Sequence, residues 1–392
     1  MSERLPIRPL GLYVHIPYCT KKCPYCDFYT RPLPTPSDVE RYVRALVREI
    51  RQSERFGWRK NQPLQTIFLG GGTPSLLSSA HLDSILSSIR SAFSLDRDAE
   101  ITMEINPETV TQDRVRTWRD FGVNRASLGV QTLRSDQLRR LGREHDGTIA
   151  RHAYDQLRSG GFKNLSVDLM YGLEAQTGED WARTLSDIVP WEPDHISAYN
   201  LTVESRTPFG GELDRGTLRL PQEEIQTELF LIGRQFLQEQ GYIQYEISNY
   251  ARPGFEARHN LIYWTGGDYW GVGVSAHSFQ RRSSEFIRWW NPRDLSRYVT
   301  AVEAGSLPTE ESETLSVETH FGERLMTGLR LSRGVNLQEL SHDLKFPAPS
   351  HALEAIARFS STGHVRQNGD HFSFTPQGML LSNEIFRELI TR

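Results

Sequence analysis

The chain has three cysteines, and all of them fall in one short stretch with the spacing Cys19-x3-Cys23-x2-Cys26. An odd number packed so closely excludes a disulfide framework and points to a metal or cluster site in a reducing compartment. With this spacing one compact loop presents three sulfurs to three corners of a 4Fe-4S cubane and leaves the fourth iron without a protein ligand. A zinc site completed by His15 is the alternative, although zinc sites more often pair their cysteines in two separated knuckles.

Short β-branched runs alternate with segments of helical period, the signature of repeated βα units and a parallel sheet. Strands are expected at Leu12 to Ile16, Thr66 to Leu69, Glu100 to Ile105, Arg125 to Val130, Leu165 to Met170 and His195 to Leu201. Helices are expected at Asp38 to Phe56 with Ser37 as N-cap, Ser79 to Phe93, Gln112 to Phe121, Ser135 to Leu141, Thr148 to Ser159 and Glu179 to Val189. A helix at Glu223 to Gln240 and a strand at Tyr242 to Ile247 follow. The stretch from Arg258 to Phe279, rich in Gly, Tyr and Trp, reads as a flexible aromatic loop. From Leu315 the chain reads as helices, a hairpin at His364 to Phe374 and a last helix from Pro376 to Ile390.

The fold expected is therefore α/β: a partial (β/α)6 TIM-like barrel over residues 1–250, a Gly- and aromatic-rich connecting segment over 251–314, and a small winged-helix-like α+β domain over 315–392. A length of 392 residues suits a barrel plus a smaller domain. The net charge of -4 and the lack of single-sign runs argue against a nucleic-acid groove. The first ten residues lack an apolar core like that of a signal peptide, and no stretch of about 18 apolar residues occurs, so a cytoplasmic location is expected.

In αβ barrels the working residues gather on loops at the C-terminal strand ends. Here those ends carry the cysteines, the Gly70-Gly71-Gly72-Thr73-Pro74 turn, Glu104, Gln131 and Asp168. The glycine turn lets backbone amides and carbonyls approach a charged ligand, or is simply a tight connection. An open cluster iron suits chelation by the amino and carboxylate groups of S-adenosylmethionine, whose reductive cleavage gives a 5'-deoxyadenosyl radical.

Tyr13-Val14-His15-Ile16-Pro17-Tyr18-Cys19, Cys23-Pro24-Tyr25-Cys26-Asp27-Phe28, the Gly70 to Pro74 turn, Glu104-Ile105-Asn106-Pro107, Ser127-Leu128-Gly129-Val130-Gln131, Gly142-Arg143-Glu144 and Asp168-Leu169-Met170-Tyr171-Gly172-Leu173 resemble the radical S-adenosylmethionine (radical SAM) oxygen-independent coproporphyrinogen oxidase family. The resemblance covers nearly the whole chain. It implies a 4Fe-4S cluster on Cys19, Cys23 and Cys26, and contacts to S-adenosylmethionine from Tyr13, Tyr25, Gly72, Thr73, Glu104, Gln131, Arg143 and Asp168, with Thr202 a weaker candidate.

Two features set the chain apart from the oxidases of that family. They carry a further Cys two residues after the third, where this chain has Phe28, and a longer segment before the cluster loop. Glu174-Ala175 also stands where relatives have Pro-Gly. Conversely, His259-Asn260-Leu261-Ile262-Tyr263-Trp264 is similar to the HNxxYW signature of the HemW branch, whose members act as heme chaperones.

A neutral imidazole suits heme iron and flat aromatic rings suit a porphyrin, which makes His259 the candidate ligand. The rival reading of a lone His in such a loop is a backbone-bonding residue, and His277 is a competing ligand. The resemblance thus implies heme as cargo and acceptor hemoproteins such as respiratory enzymes as partners. It leaves peripheral membrane association and a homodimer open. Radical decarboxylation of coproporphyrinogen III propionates to vinyls is the alternative activity.

Overall fold

The structure, a computed structural model, describes residues 9–52, 62–282 and 285–390. Six strands, β1 (Leu10–Ile16), β2 (Leu64–Gly71), β3 (Leu95–Ile105), β4 (Arg125–Gln131), β5 (Asn164–Tyr171) and β6 (His195–Asn200), each pair in parallel with the next. Their connections carry α1 (Pro36–Gln52), α2 (Ser79–Ala92), α3 (Gln112–Asp120), α4 (Ser135–Arg140), α5 (Gly147–Ser159) and α6 (Gly178–Ile188). The partial six-stranded barrel expected from the alternation is present.

The strands are built on a two-residue period. Leu12, Val14, Ile67, Leu69, Met103, Leu128, Val167 and Leu169 lie on one face and join the helix residues Leu46, Ile85, Val115 and Leu157 in one apolar core. The alternate positions carry Thr66, Glu100, Thr102, Arg125, Ser127, Ser166, His195 and Ser197, all buried and polar. Register partners share a face of a sheet, and the pairs Thr66↔Glu100, Thr102↔Arg125, Ser127↔Ser166 and Ser166↔His195 run across it. The inner face of this sheet is therefore a polar wall.

After β6 come α7 (Pro208–Asp214), α8 (Glu223–Glu239) and a short antiparallel extension, β7 (Ile243–Glu246) with β8 (Asn249–Ala251). The stretch expected as a flexible loop is instead regular: α9 (Arg258–Thr265), β9 (Asp268–Val272) and β10 (His277–Arg282), followed by β11 (Glu285–Trp290), α10 (Leu295–Glu303) and β12 (Glu311–Leu315). Its glycines serve close approach rather than motion. Gly266 ends α9 in the left-handed region at φ 65, as a helix C-terminus often requires. A Cβ on Gly271 would lie 2.2 Å from the His277 carbonyl oxygen.

Strand β9 pairs in parallel with β1, and the sheet runs in the order β12-β11-β10-β9-β1-β2-β3-β4-β5-β6-β8-β7 without closing on itself among the described residues. The C-terminal part packs α11 (Val317–Arg330), α12 (Leu337–Leu344), α13 (Ser350–Ser361), α14 (Pro376–Leu380) and α15 (Ser382–Ile390) around a small sheet. That sheet has the order β13 (Val335–Asn336), β15 (His371–Phe374), β14 (Val365–Asn368). The single last helix expected from the period is two, divided at Leu381.

The start of α1 also differs from expectation. Ser37 lies inside the helix, and Thr35 takes the capping position, its carbonyl accepting from Asp38 and Val39 N–H and its Oγ1 from Asp38 N–H at 3.4 Å. Positions 53–56 of the expected helix lie outside the described residues.

One buried carboxylate joins α1 to the far side of the sheet. Glu49 accepts from Gly273 N–H at 2.8 Å, Asn291 Nδ2 at 2.8 Å and the Tyr298 hydroxyl at 2.6 Å. Burial pushes its carboxyl up to about 7 against the pull of these donors. A folded value above the ordinary 4.5 means stability that is present at low pH and lost as pH rises through about 7. Denaturant unfolding across that window should show wild-type protein losing up to about 3 kcal/mol more than Glu49→Gln. Glu49→Ala, which strands three buried donors, should lose about 3 kcal/mol or more at any pH in the window.

Candidate cluster site and its rim

The cysteine loop leaves β1 at Ile16 and is held at both ends. Gly72 N–H donates to Ile16 O and Thr73 N–H to Tyr18 O, each at 2.7 Å, while Arg31 N–H donates to Pro17 O and Leu33 N–H to Cys19 O. Its tip is fixed by Phe209 N–H on Pro24 O at 3.0 Å. Between these anchors Cys19, Cys23 and Cys26 are unpaired and partly exposed. Burial pushes the Cys19 thiol up to about 11; Thr73 opposes this, and nearby Cys26 and Cys23 reinforce it. Burial raises the Cys26 thiol too, and three thiols on one short loop are a donor set suited to a bound cationic centre.

The zinc alternative lacks its fourth ligand. His15 accepts from the Tyr13 hydroxyl at Nδ1 (2.9 Å) and donates from Nε2 to Tyr29 O (2.9 Å), so neither ring nitrogen is available. Three thiols and no fourth side chain suit a cluster with one open iron, the form the radical SAM resemblance implies.

A chain of polar side chains spans the site. Thr73 Oγ1 donates to Cys19 Sγ at 3.5 Å and accepts from Asn106 Nδ2 at 3.3 Å. Asn106 Oδ1 accepts from Arg143 Nη2 at 2.9 Å, and that nitrogen also donates to Gly129 O. Arg143 Nη1 then approaches Cys23 Sγ at 4.0 Å. Asn106 joins the two halves of this chain, a role that sequence reasoning missed. The residue stands in the Glu104-Ile105-Asn106-Pro107 motif, and that motif was the signal that could have found it.

The other expected contacts gather on the same strand ends. Glu104 Oε2 accepts from Gly71 N–H at 2.9 Å, and its carboxyl is pushed up to about 7 by burial, which the amide opposes and Asp168 reinforces. Asp168 is wrapped by the hydroxyls of Ser127 (2.9 Å), Ser197 (2.7 Å) and Ser166 (3.3 Å); burial still raises its carboxyl. These serines too went unmarked in the sequence. Gln131 follows an irregularity in the β4–β5 register and holds φ 66, a strained value for a side chain other than glycine. Tyr25, within the loop, packs against Phe209.

Two of the expected positions are engaged differently from the rest. The Gly71, Gly72 and Thr73 amides bond to Glu104, Ile16 and Tyr18, so a contact from this turn to a ligand would come from its other polar atoms. A Cβ on Gly72 would lie 2.7 Å from Tyr18 O. Thr202 is exposed, and among the described residues its hydroxyl donates to Asn200 O at 3.5 Å.

His259 stands elsewhere again. It is 1% exposed, with Nδ1 bonded to Thr66 Oγ1 at 2.7 Å and Nε2 to the Tyr263 hydroxyl at 2.8 Å, and its ring stacks on Phe68. Burial, with the charge of Arg125, lowers its pKa to about 3. Glu100 accepts from the N–H groups of Arg258 and His259, capping α9 from inside the sheet. In this structure both ring nitrogens are therefore engaged by hydroxyls and enclosed by the fold.

A radical SAM superfamily model matches residues 13–188, and a HemN C-terminal domain model matches residues 315–381. Proteins called heme chaperone HemW align along the chain. The one from Mycobacterium tuberculosis (strain H37Rv) is 33% identical over 98% of this chain and 96% of its own length. That from Bacillus subtilis is 31% identical over 95% and 97%, and that from Escherichia coli K12 is 41% identical over 69% and 70%. Coproporphyrinogen III oxidase (HemN) from Escherichia coli, a radical SAM enzyme, shares the fold, with a TM-score of 0.84 over 99% of this chain and 92% of that one at 24% identity.

Two measurements follow from this geometry. Asn106→Ala keeps all three cysteines but cuts the link between Thr73 and Arg143, so anaerobically reconstituted protein should bind iron and acid-labile sulfide and then lose them faster than the parent; an unchanged rate would show the link to be idle. His259→Ala removes two buried hydrogen bonds and a stacked ring, and should cost about 3 kcal/mol of stability in a thermal melt.

Proposed function

The chain belongs to the HemW family, and from that premise we propose that it binds heme and hands it to acceptor hemoproteins, respiratory enzymes among them. The observation that carries this reading is identity to heme chaperones along the whole chain, the barrel and the C-terminal domain together. Membership of the radical SAM superfamily implies a 4Fe-4S cluster and S-adenosylmethionine. We assign the cluster to Cys19, Cys23 and Cys26, and the S-adenosylmethionine contacts to Tyr13, Gly72, Thr73, Glu104, Gln131, Arg143 and Asp168. When bound, these groups supply one-electron chemistry at the rim.

The chain's own residues prepare that rim. Arg143 and Thr73 place donors on two of the three sulfurs, and Glu104 and Asp168 bring carboxylates to the same strand ends. Phe28, two residues after the last cysteine, is 67% exposed and places an apolar ring there instead of a further thiol. Three unpaired cysteines suit the reducing cytoplasm. Among the described residues no helix is long and apolar enough to cross a membrane.

The test gives the reconstituted protein heme in one arm and, in the other, coproporphyrinogen III with reductant and S-adenosylmethionine. A stoichiometric Soret band, its passage to an apo-hemoprotein and the absence of vinyl product are the expected results. Decarboxylated product, or no uptake of heme, would sink the carrier reading. Within the same preparation, Glu104→Ala should weaken the change that S-adenosylmethionine makes in the cluster spectrum, by about 1 to 3 kcal/mol of binding.

A further inference from the structure

A histidine that ligates carried heme offers a neutral imidazole with a free lone pair, and a flat apolar wall and a cation for a propionate complete such a site. The histidines of the inner sheet cannot supply the first. His15 and His259 have both nitrogens engaged, and His195 bonds Ser166 and Tyr245 deep in the fold. His277, the first residue of β10, is exposed and rests against Trp290 at 5.7 Å between ring centroids, with the two planes within 25°. No described residue hydrogen-bonds its ring nitrogens. Partial burial and the charges of Arg288 and Arg293 lower its basicity, which keeps the ring neutral.

The same ring opens onto a pocket of about 340 Å³ beside the cysteine loop, lined among others by Tyr13, Phe28, Tyr29, Tyr269 and Arg293. That volume lies within the range of small-molecule sites, about 300 to 1,000 Å³. Phe28 offers an exposed ring on one side and Tyr269 an aromatic wall on another. Arg293 makes one hydrogen bond to a described residue, from Nη2 to Asp27 O at 3.0 Å, and so retains donors for an anion. Imidazole, aromatic wall and guanidinium meet in one place.

Resting on the carrier reading, we infer that His277 is the axial ligand of heme, in a pocket where Phe28 and Tyr269 face the porphyrin and Arg293 meets a propionate. Because Asp27, Phe28 and Tyr29 follow Cys26 directly, the pocket wall continues the cluster loop.

The experiment titrates heme into the full-length, cluster-loaded protein and three variants, with thermal melts and sulfide content recorded alongside. His277→Ala should bind at least about tenfold more weakly with a displaced Soret band, as expected for a lost iron ligand. Arg293→Gln should weaken binding while leaving the band in place. Free imidazole added to His277→Gly should restore the parental band, a rescue that a merely structural histidine would not show. If wild-type protein takes up no heme, the carrier reading falls and this assignment with it. If wild-type protein binds heme and His277→Ala matches it in both band and affinity, the assignment alone is overturned.

Discussion

The backbone of the glycine turn after β2 lies against the start of the cysteine loop so closely that no side chain fits between them. A Cβ on Gly72 would sit within 2.9 Å of three backbone atoms of Ile16 and Tyr18. What this proximity gains is two amide hydrogen bonds at 2.7 Å, one on either side of the point where β1 turns into the loop. They set the position of Tyr18, hence of Cys19, and bring Thr73 within 3.5 Å of its sulfur. From Thr73 the bonding passes through Asn106 to Arg143 and back to Cys23. A side chain at position 72 would push the loop off the strand end and break this circuit where it begins.

Behind the rim, the sheet buries polar groups that would each cost about 1 to 3 kcal/mol if left unbonded. They bond instead to one another. Asp168 takes three serine hydroxyls, His195 links Ser166 to Tyr245, and Glu100 takes two amides from the start of α9. A carboxylate at a helix N-terminus also meets the positive end of the helix dipole. Burial, with the nearby charge of Arg125, holds both His195 and His259 neutral. The inner face of the sheet is thus closed by a helix that comes late in the chain and depends on strands that come early.

That long reach explains which parts were legible in the sequence. The six strands and their helices could be read because alternation and helical period are local, and the cysteine spacing is local too. The stretch from Arg258 to Phe279 misled because glycine among aromatics is also what tight packing requires; the His277 carbonyl that excludes a Cβ at Gly271 is invisible in a linear pattern. His259 carried a signature, but its meaning is set by Thr66, 193 positions away. Ser127, Ser166 and Ser197 were ordinary one by one. Only the register of β4, β5 and β6 brings them onto a single carboxylate.

The signature around His259 and the exposed pocket at His277 belong to one construction. Through Nε2 the buried imidazole holds the Tyr263 hydroxyl at 2.8 Å, and Tyr263 packs edge-on against Tyr269 at 4.7 Å. On its other side His259 stacks on Phe68, which stacks on Tyr13, whose hydroxyl donates to the His15 Nδ1 that the Tyr29 carbonyl leaves unprotonated. Tyr13, His15, Tyr263 and Tyr269 all line the pocket that His277 enters. On that proposal the histidine of the HNxxYW stretch is a positioning residue: it braces from within the aromatic wall against which a porphyrin would lie, while a ring on the outside would meet the iron. Dividing the two tasks suits a carrier, because a wall held by buried hydrogen bonds keeps its shape when the cargo leaves, and a solvent-facing ligand can release iron without disturbing the core.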